Sequence, residues 1–220
     1  MKATIKTHPI IETEIFYCES VSYASDYELG RFIPQYDEKV LSGYLTKKAK
    51  IHESEKLSRT YIVRDKEDAV LAGWFSLAAA TLPYQENDVE FQIPAINLSN
   101  FAVDKKYKQL HGKDFQPATI GEFIFNDFII PISTVVSKLC GAKEIYIFSL
   151  KEDSLIEHYK STFGFIEEND MESMILLPQP HYYNNNSVLF LHRPLAEELS
   201  VIPGKINLHD EQVTMEVMRV

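Results

Sequence analysis

Few side chains in this sequence have types and spacing that could do chemistry, and the clearest is Tyr159. It follows the run 145–150, in which only Ser149 is neither apolar nor aromatic, and it precedes Phe163-Gly164-Phe165. A phenol can hold a proton or pass it to a reacting group. Taken alone, though, a tyrosine on an apolar helix face is more readily a core residue. A second set is Lys105, Lys106, Lys108 and Lys113, placed around Gly112 and ahead of Gly121. Four such lysines would ordinarily be a solvated face, and they draw interest only because the rest of the chain is acidic. The seven histidines show no ligand spacing such as H-E-x-x-H, so no metal is assigned.

Composition narrows the field. At 220 residues, 45% hydrophobic and 12% aromatic, the chain can bury one substantial core. A net charge of -10 argues against a general nucleic-acid binder, because neutralising phosphates takes surplus Lys and Arg. A local basic patch remains compatible with it. Cys18 and Cys140 are too few for a disulfide framework or a zinc site, which points to a reducing cytoplasm. Cys140, closing a helix, reads as a small buried apolar residue. Neither a signal peptide nor a membrane span is read in the sequence.

The elements that must position these residues alternate. A first strand is expected over 14–18 and an amphipathic helix over 36–56, with Val40, Leu41, Tyr44, Leu45, Ala49 and His52 on its inner face. Strands over 60–64 and 70–82 flank a turn at Lys66-Glu67-Asp68, and Trp74 and Phe75 read as core. A polar loop, 85–90, leads to a strand over 93–103, then a mixed stretch over 104–119. A long helix over 121–139 follows, which Pro131 should kink or split. After the strand 145–150, Asp153 is the expected N-cap of a short helix carrying Leu155, Ile156, Tyr159 and Phe163, and Gly164 is its left-handed stop. A closing strand is expected over 171–177. The order predicts an α/β layer structure with a mixed sheet. Residues 1–177 read as one domain and 178–220 as a C-terminal extension packed on it, with a turn at Asn184-Asn185-Asn186, a strand over 188–192 and a short helix over 194–199.

A buried strand, a short helix with a tyrosine and a Gly-Phe exit resemble the C-terminal half of the GCN5-related N-acetyltransferase (GNAT) family. The element order is similar over roughly residues 12–177. The runs Leu41 to Ala49, Ser58-Arg59-Thr60-Tyr61-Ile62-Val63 and Ala72-Gly73-Trp74-Phe75-Ser76-Leu77 look like the toxin-type members found in bacterial toxin–antitoxin modules. The resemblance implies a mixed central sheet with helices on both faces, a bulged fourth strand (93–103) splayed from the strand 145–150, and a V-shaped cofactor cleft between them. It implies acetyl-CoA as cosubstrate, its pantetheine arm paired with the backbone of Phe101, Ala102 and Val103. The pyrophosphate would lie at Lys108, Gly112, Lys113, Ile120 and Gly121, where the family signature Q/R-x-x-G-x-G/A looks opened by about six residues.

In the same reading Tyr159 protonates the departing thiolate. It stands five residues before Gly164 where the family places its tyrosine four before, at Lys160 here. The family's basic Glu falls near Asn97, which cannot serve, and Glu90 and Asp88 are the nearest carboxylates upstream. Toxin-type relatives commonly lack that Glu and use an amine that loses its proton easily. The expected activity is transfer of an acetyl group to a primary amine of a small molecule, a protein or an aminoacyl-tRNA. A toxin acetylating the α-amine of aminoacyl-tRNA and a non-catalytic acyl-CoA-binding module are the alternatives. Oligomeric state, homodimer or otherwise, is left open.

Overall fold

The computed structural model describes residues 8–86, 89–167 and 188–195. Among the described residues, seven strands form one sheet whose order across the sheet follows the order along the chain. They are β1 (Ile11–Glu12), β2 (Phe16–Ser20), β3 (Arg59–Asp65), β4 (Leu71–Glu86), β5 (Val89–Val103), β6 (Glu144–Leu150) and β7 (Val188–Pro194). The helices are α1 (Asp26–Leu29), α2 (Glu38–Lys47), α3 (Ala49–Ser54), α4 (Lys105–His111), α5 (Ile120–Ile124), α6 (Ile130–Cys140) and α7 (Asp153–Ser161). β5 and β6 run parallel, whereas β1–β2, β2–β3 and β6–β7 are antiparallel. A parallel pair needs a long crossover, and α4 to α6 supply it.

By packing, the chain divides into two units. One holds the described residues up to Ser76 with Phe101–Phe128; the other holds Leu77–Asn100 and the described residues from Ile129 onward. The core of the first centres on Trp74, which is fully buried and stacked on Tyr44 at 5.7 Å, with Leu45, Ile62, Leu71 and Ala102 around them. Phe75 is equally buried, so both aromatics are core, as the strand pattern predicts. In the same unit Arg64 ties two carboxylates together: its Nε donates to Glu19 at 2.7 Å and its two Nη atoms donate to Glu28. The second unit packs Leu82, Ala95, Tyr146 and Phe190 together.

Several boundaries differ from the sequence expectation for identifiable reasons. The helix expected over 36–56 breaks at Lys48, whose φ of -120° leaves the helical region. Just before it, Thr46 Oγ1 donates back to the Ser42 carbonyl at 2.7 Å, a bond that weakens a helical turn. Val40, set on its inner face, is exposed. β4 runs on to Glu86 and β5 begins at Val89, within the expected polar loop, because a ladder partner and not apolar alternation decides how far a strand runs. The long helix is continuous over Ile120–Cys140 but widens into a π-turn at Phe125–Ile129, just ahead of Pro131. Proline lacks the amide for the i-4 bond and crowds that carbonyl, and the wider turn relieves both.

Ile120–Cys140 is also long and apolar enough to cross a membrane by composition, although no span is read in the sequence. Half of its apolar window (50%) is buried inside the protein, as in a core helix. Its last turn reaches solvent, so Leu139 and Cys140 are exposed, against the expectation of a buried Cys140. The turn at 66–68 forms as expected. The closing strand expected over 171–177, the Asn184 to Asn186 turn and most of the 194–199 helix lie outside the described residues. Val188–Pro194, from the segment read as an extension, is the strand that borders β6, over seven register pairs from Glu144↔Pro194 to Leu150↔Val188.

Candidate active site

In the first unit, β5 ends at Val103 and Asp104 starts α4. The Asp104 carboxylate accepts from the amides of Tyr107, at 2.8 Å, and Ile33, at 2.9 Å. The Asp104 amide donates to the Ala72 carbonyl in β4, while the Gln35 amide donates to the Val103 carbonyl at 3.2 Å. Successive residues of a strand turn their backbone groups to opposite sides. Phe101 and Val103 therefore aim their amides away from β4, and Ala102 aims its amide at β4. Of the three residues expected to pair with pantetheine, only the first and third face the required side.

Gly121 sits in the first turn of the helix Ile120–Cys140. A methyl group there would touch Val103 Cγ2 at 3.7 Å and Phe101 Cζ at 3.8 Å. Phe101, Val103 and Gly121 are thus gathered at one place, with buried Ile120 beside them. Gly112 is placed differently. It closes α4 with φ -58°, and a methyl group on it would fall 2.5 Å from the Lys108 carbonyl oxygen. It belongs to a helix end and not to an open phosphate loop, because the stretch 104–119, read as mixed, folds into α4 and a set of turns. Lys108 Nζ donates to the Gln35 side chain at 2.8 Å, and Lys105, Lys106 and Lys113 are exposed.

A capping box starts the long helix. The Thr119 hydroxyl accepts from the Glu122 amide at 3.2 Å, and the Glu122 carboxylate accepts from the Thr119 amide. The amides of Ile120 and Gly121 lie outside this box. The T-x-x-E spacing of Thr119 and Glu122 is a readable sign of a helix start that sequence reasoning passed over. Gly73 was also undervalued: a methyl group on it would meet Ile124 Cδ1 at 2.5 Å and the Ala102 carbonyl oxygen at 2.8 Å. Only glycine lets β4, the end of β5 and the helix approach this closely.

In the second unit, β5 pairs with β6 over three positions only, Ala95↔Glu144, Ile96↔Ile145 and Asn97↔Tyr146. Beyond Asn97 the ladder stops, although β6 continues to Leu150. This is the splay implied by the sequence resemblance. Asn97 stands at the last pair, and Glu90 is exposed.

Tyr159 is buried on α7, its ring edge-on to Phe163 at 5.5 Å and to Phe165 at 5.7 Å. Burial raises its phenol above the ordinary 10, so the protonated form persists through the neutral range. Gly164 takes φ +67°, as expected, which lets the chain turn back and the Phe165 amide reach the Tyr159 carbonyl at 3.1 Å. Lys160, at the position where the resemblance places the family's tyrosine, is exposed and paired with Glu167 at 3.4 Å. The N-cap of α7 is Glu152, with no side-chain capping bond; Asp153, the expected cap, is the first helical residue.

No family model and no curated protein matches the chain. Solved structures do. That of AtaTR bound with acetyl-CoA superposes with a TM-score of 0.55 at 20% identity, over 83% of this chain and 95% of that one. A tyrosine-to-phenylalanine mutant of the AtaT toxin gives 0.59 at 17% identity, over 87% and 95%. AtaT complexed with acetyl-methionyl-tRNAfMet gives 0.55 at 20% identity, over 81% and 94%. The chain has the fold of these toxins, which is the GNAT fold implied by its sequence.

Proposed function

We propose that this protein is an acetyl-CoA-dependent N-acetyltransferase whose acceptor is the α-amine of an aminoacyl-tRNA. The observation that carries the reading is Tyr159: a buried phenol kept protonated, with the rings of Phe163 and Phe165 edge-on to it. A tyrosine-to-phenylalanine mutant is the form in which the AtaT toxin was solved, in keeping with a working tyrosine in that protein. AtaT was also solved with acetyl-CoA and with an acetylated aminoacyl-tRNA, which supports the same pair of substrates here.

Acetyl-CoA supplies an acetyl group activated as a thioester. The residues present suit it, the Glu122 carboxylate excepted. The amides of Phe101 and Val103 face away from β4, and the Ile120 and Gly121 amides lie outside the capping box. A new N–C bond forms as the C–S bond breaks, the amine proton passes to solvent, and Tyr159 gives its proton to the leaving sulfur. No carboxylate base is needed when the nucleophile is an α-amine of pKa about 8, already partly neutral at physiological pH. Asn97 in place of a base agrees with such an acceptor. An aminoacyl-tRNA acceptor also places the protein in the cytoplasm.

The test is transfer of radiolabelled acetyl from acetyl-CoA to a panel of charged tRNAs. Label should appear on the α-amine, and Tyr159→Phe should lower the rate about 10²- to 10⁴-fold without loss of fold. Label on lysine or small amines alone would move the acceptor to another class. A second reading, a non-catalytic acyl-CoA-binding module, is favoured by Asn97 standing where a carboxylate base would be expected. Calorimetric binding of acetyl-CoA with no amine acetylated would support it.

A further inference from the structure

We infer that Glu122 opposes cofactor binding, because its carboxylate already holds the Thr119 amide at the helix start where the pyrophosphate of CoA would lie. The inference rests on the acetyl-CoA reading above. The helix Ile120–Cys140 begins where that reading puts the pyrophosphate, one residue before Gly121 and against Phe101 and Val103. A helix start holds an anion with its unpaired amides and the positive end of its dipole. Here the protein supplies its own anion. The Glu122 carboxylate accepts from Thr119, and the Thr119 hydroxyl occupies the Glu122 amide, so two donors at this end are already engaged.

A phosphate arriving at Ile120 and Gly121 meets a carboxylate within the same turn. Compensation nearby is thin, because Lys108 is committed to Gln35 and its other lysine neighbours extend into solvent. Two outcomes are open to a bound pyrophosphate. It either coexists with Glu122 under like-charge repulsion, or it takes the Thr119 amide and frees the Glu122 side chain. Both weaken affinity relative to a helix start without the carboxylate.

Glu122→Gln is the decisive variant, since glutamine serves equally at this position of a capping box and removes only the charge. Calorimetry should show CoA binding about five-fold tighter to Glu122→Gln than to the wild type, the scale of one charge at a helix end. Acetyl-pantetheine, which lacks the pyrophosphate, should bind both proteins equally. Unchanged or weaker CoA binding by the variant would overturn the inference while leaving the enzyme reading intact. An equal gain for acetyl-pantetheine would overturn it too, because the effect would then be general. If neither protein binds CoA, the acetyl-CoA reading itself fails and the inference falls with it.

Discussion

Tyr159 and Gly73 show how much a single position can carry in this chain. Burial holds the Tyr159 phenol protonated, so its loss to phenylalanine removes a proton donor and little packing. Gly73 is a matter of space. The methyl group of Gly73→Ala would fall 2.8 Å from the Ala102 carbonyl and 2.5 Å from Ile124, and backbone at that distance must move. We expect Gly73→Ala to destabilise the protein by about 1–3 kcal/mol, read as a lower urea midpoint at unchanged slope. A variant as stable as the wild type would mean that the contact is easily relaxed. Tyr159 was legible in the sequence because helical spacing and the Phe-Gly-Phe exit fix its surroundings locally. Gly73 and Gly112 were not, because a glycine marks a requirement without saying whether a neighbour, a helix end or a ligand imposes it.

Among the elements, the helix Ile120–Cys140 joins most of the features that bear on function. Its apolar stripe and its proline were readable, and Pro131 does perturb it, through the π-turn at Phe125–Ile129. Its start was placed one residue late, and the capping box was passed over. The stretch before it defeated sequence reasoning for another reason: α4 is held by Asp104, whose carboxylate reaches Ile33, 71 positions away in the chain. Periodicity cannot report such a partner. Removing the cap tests how far the box stabilises the helix. Thr119→Ala should cost about 1 kcal/mol in chemical denaturation, and Thr119→Ser should restore most of it. An unaltered midpoint for Thr119→Ala would show that packing of Ile120 and Ile124 alone sets the helix start.

At the scale of the whole molecule, composition showed an acidic protein with a large aromatic core, and alkaline pH is where that core becomes measurable. Desolvation pushes the phenols of Tyr17, Tyr61, Tyr107, Tyr146 and Tyr159 above their ordinary 10, Tyr146 to about 12. It raises the fully buried Cys18 thiol from 9.0 to about 12. Each group is neutral when protonated, so the folded state retains protons that the unfolded chain gives up. Stability from this source is therefore complete below pH 9 and drains away as the pH rises toward 12, first through Cys18 and then through the tyrosines. Tyr27, by contrast, is 75% exposed to solvent. Tyrosinate absorbance from these five phenols should therefore rise only together with loss of circular dichroism. Cys18→Ala should remove the earliest part of the stability loss, above pH 9. A single smooth tyrosinate titration that precedes any change in circular dichroism would mean that water reaches these side chains in the folded protein.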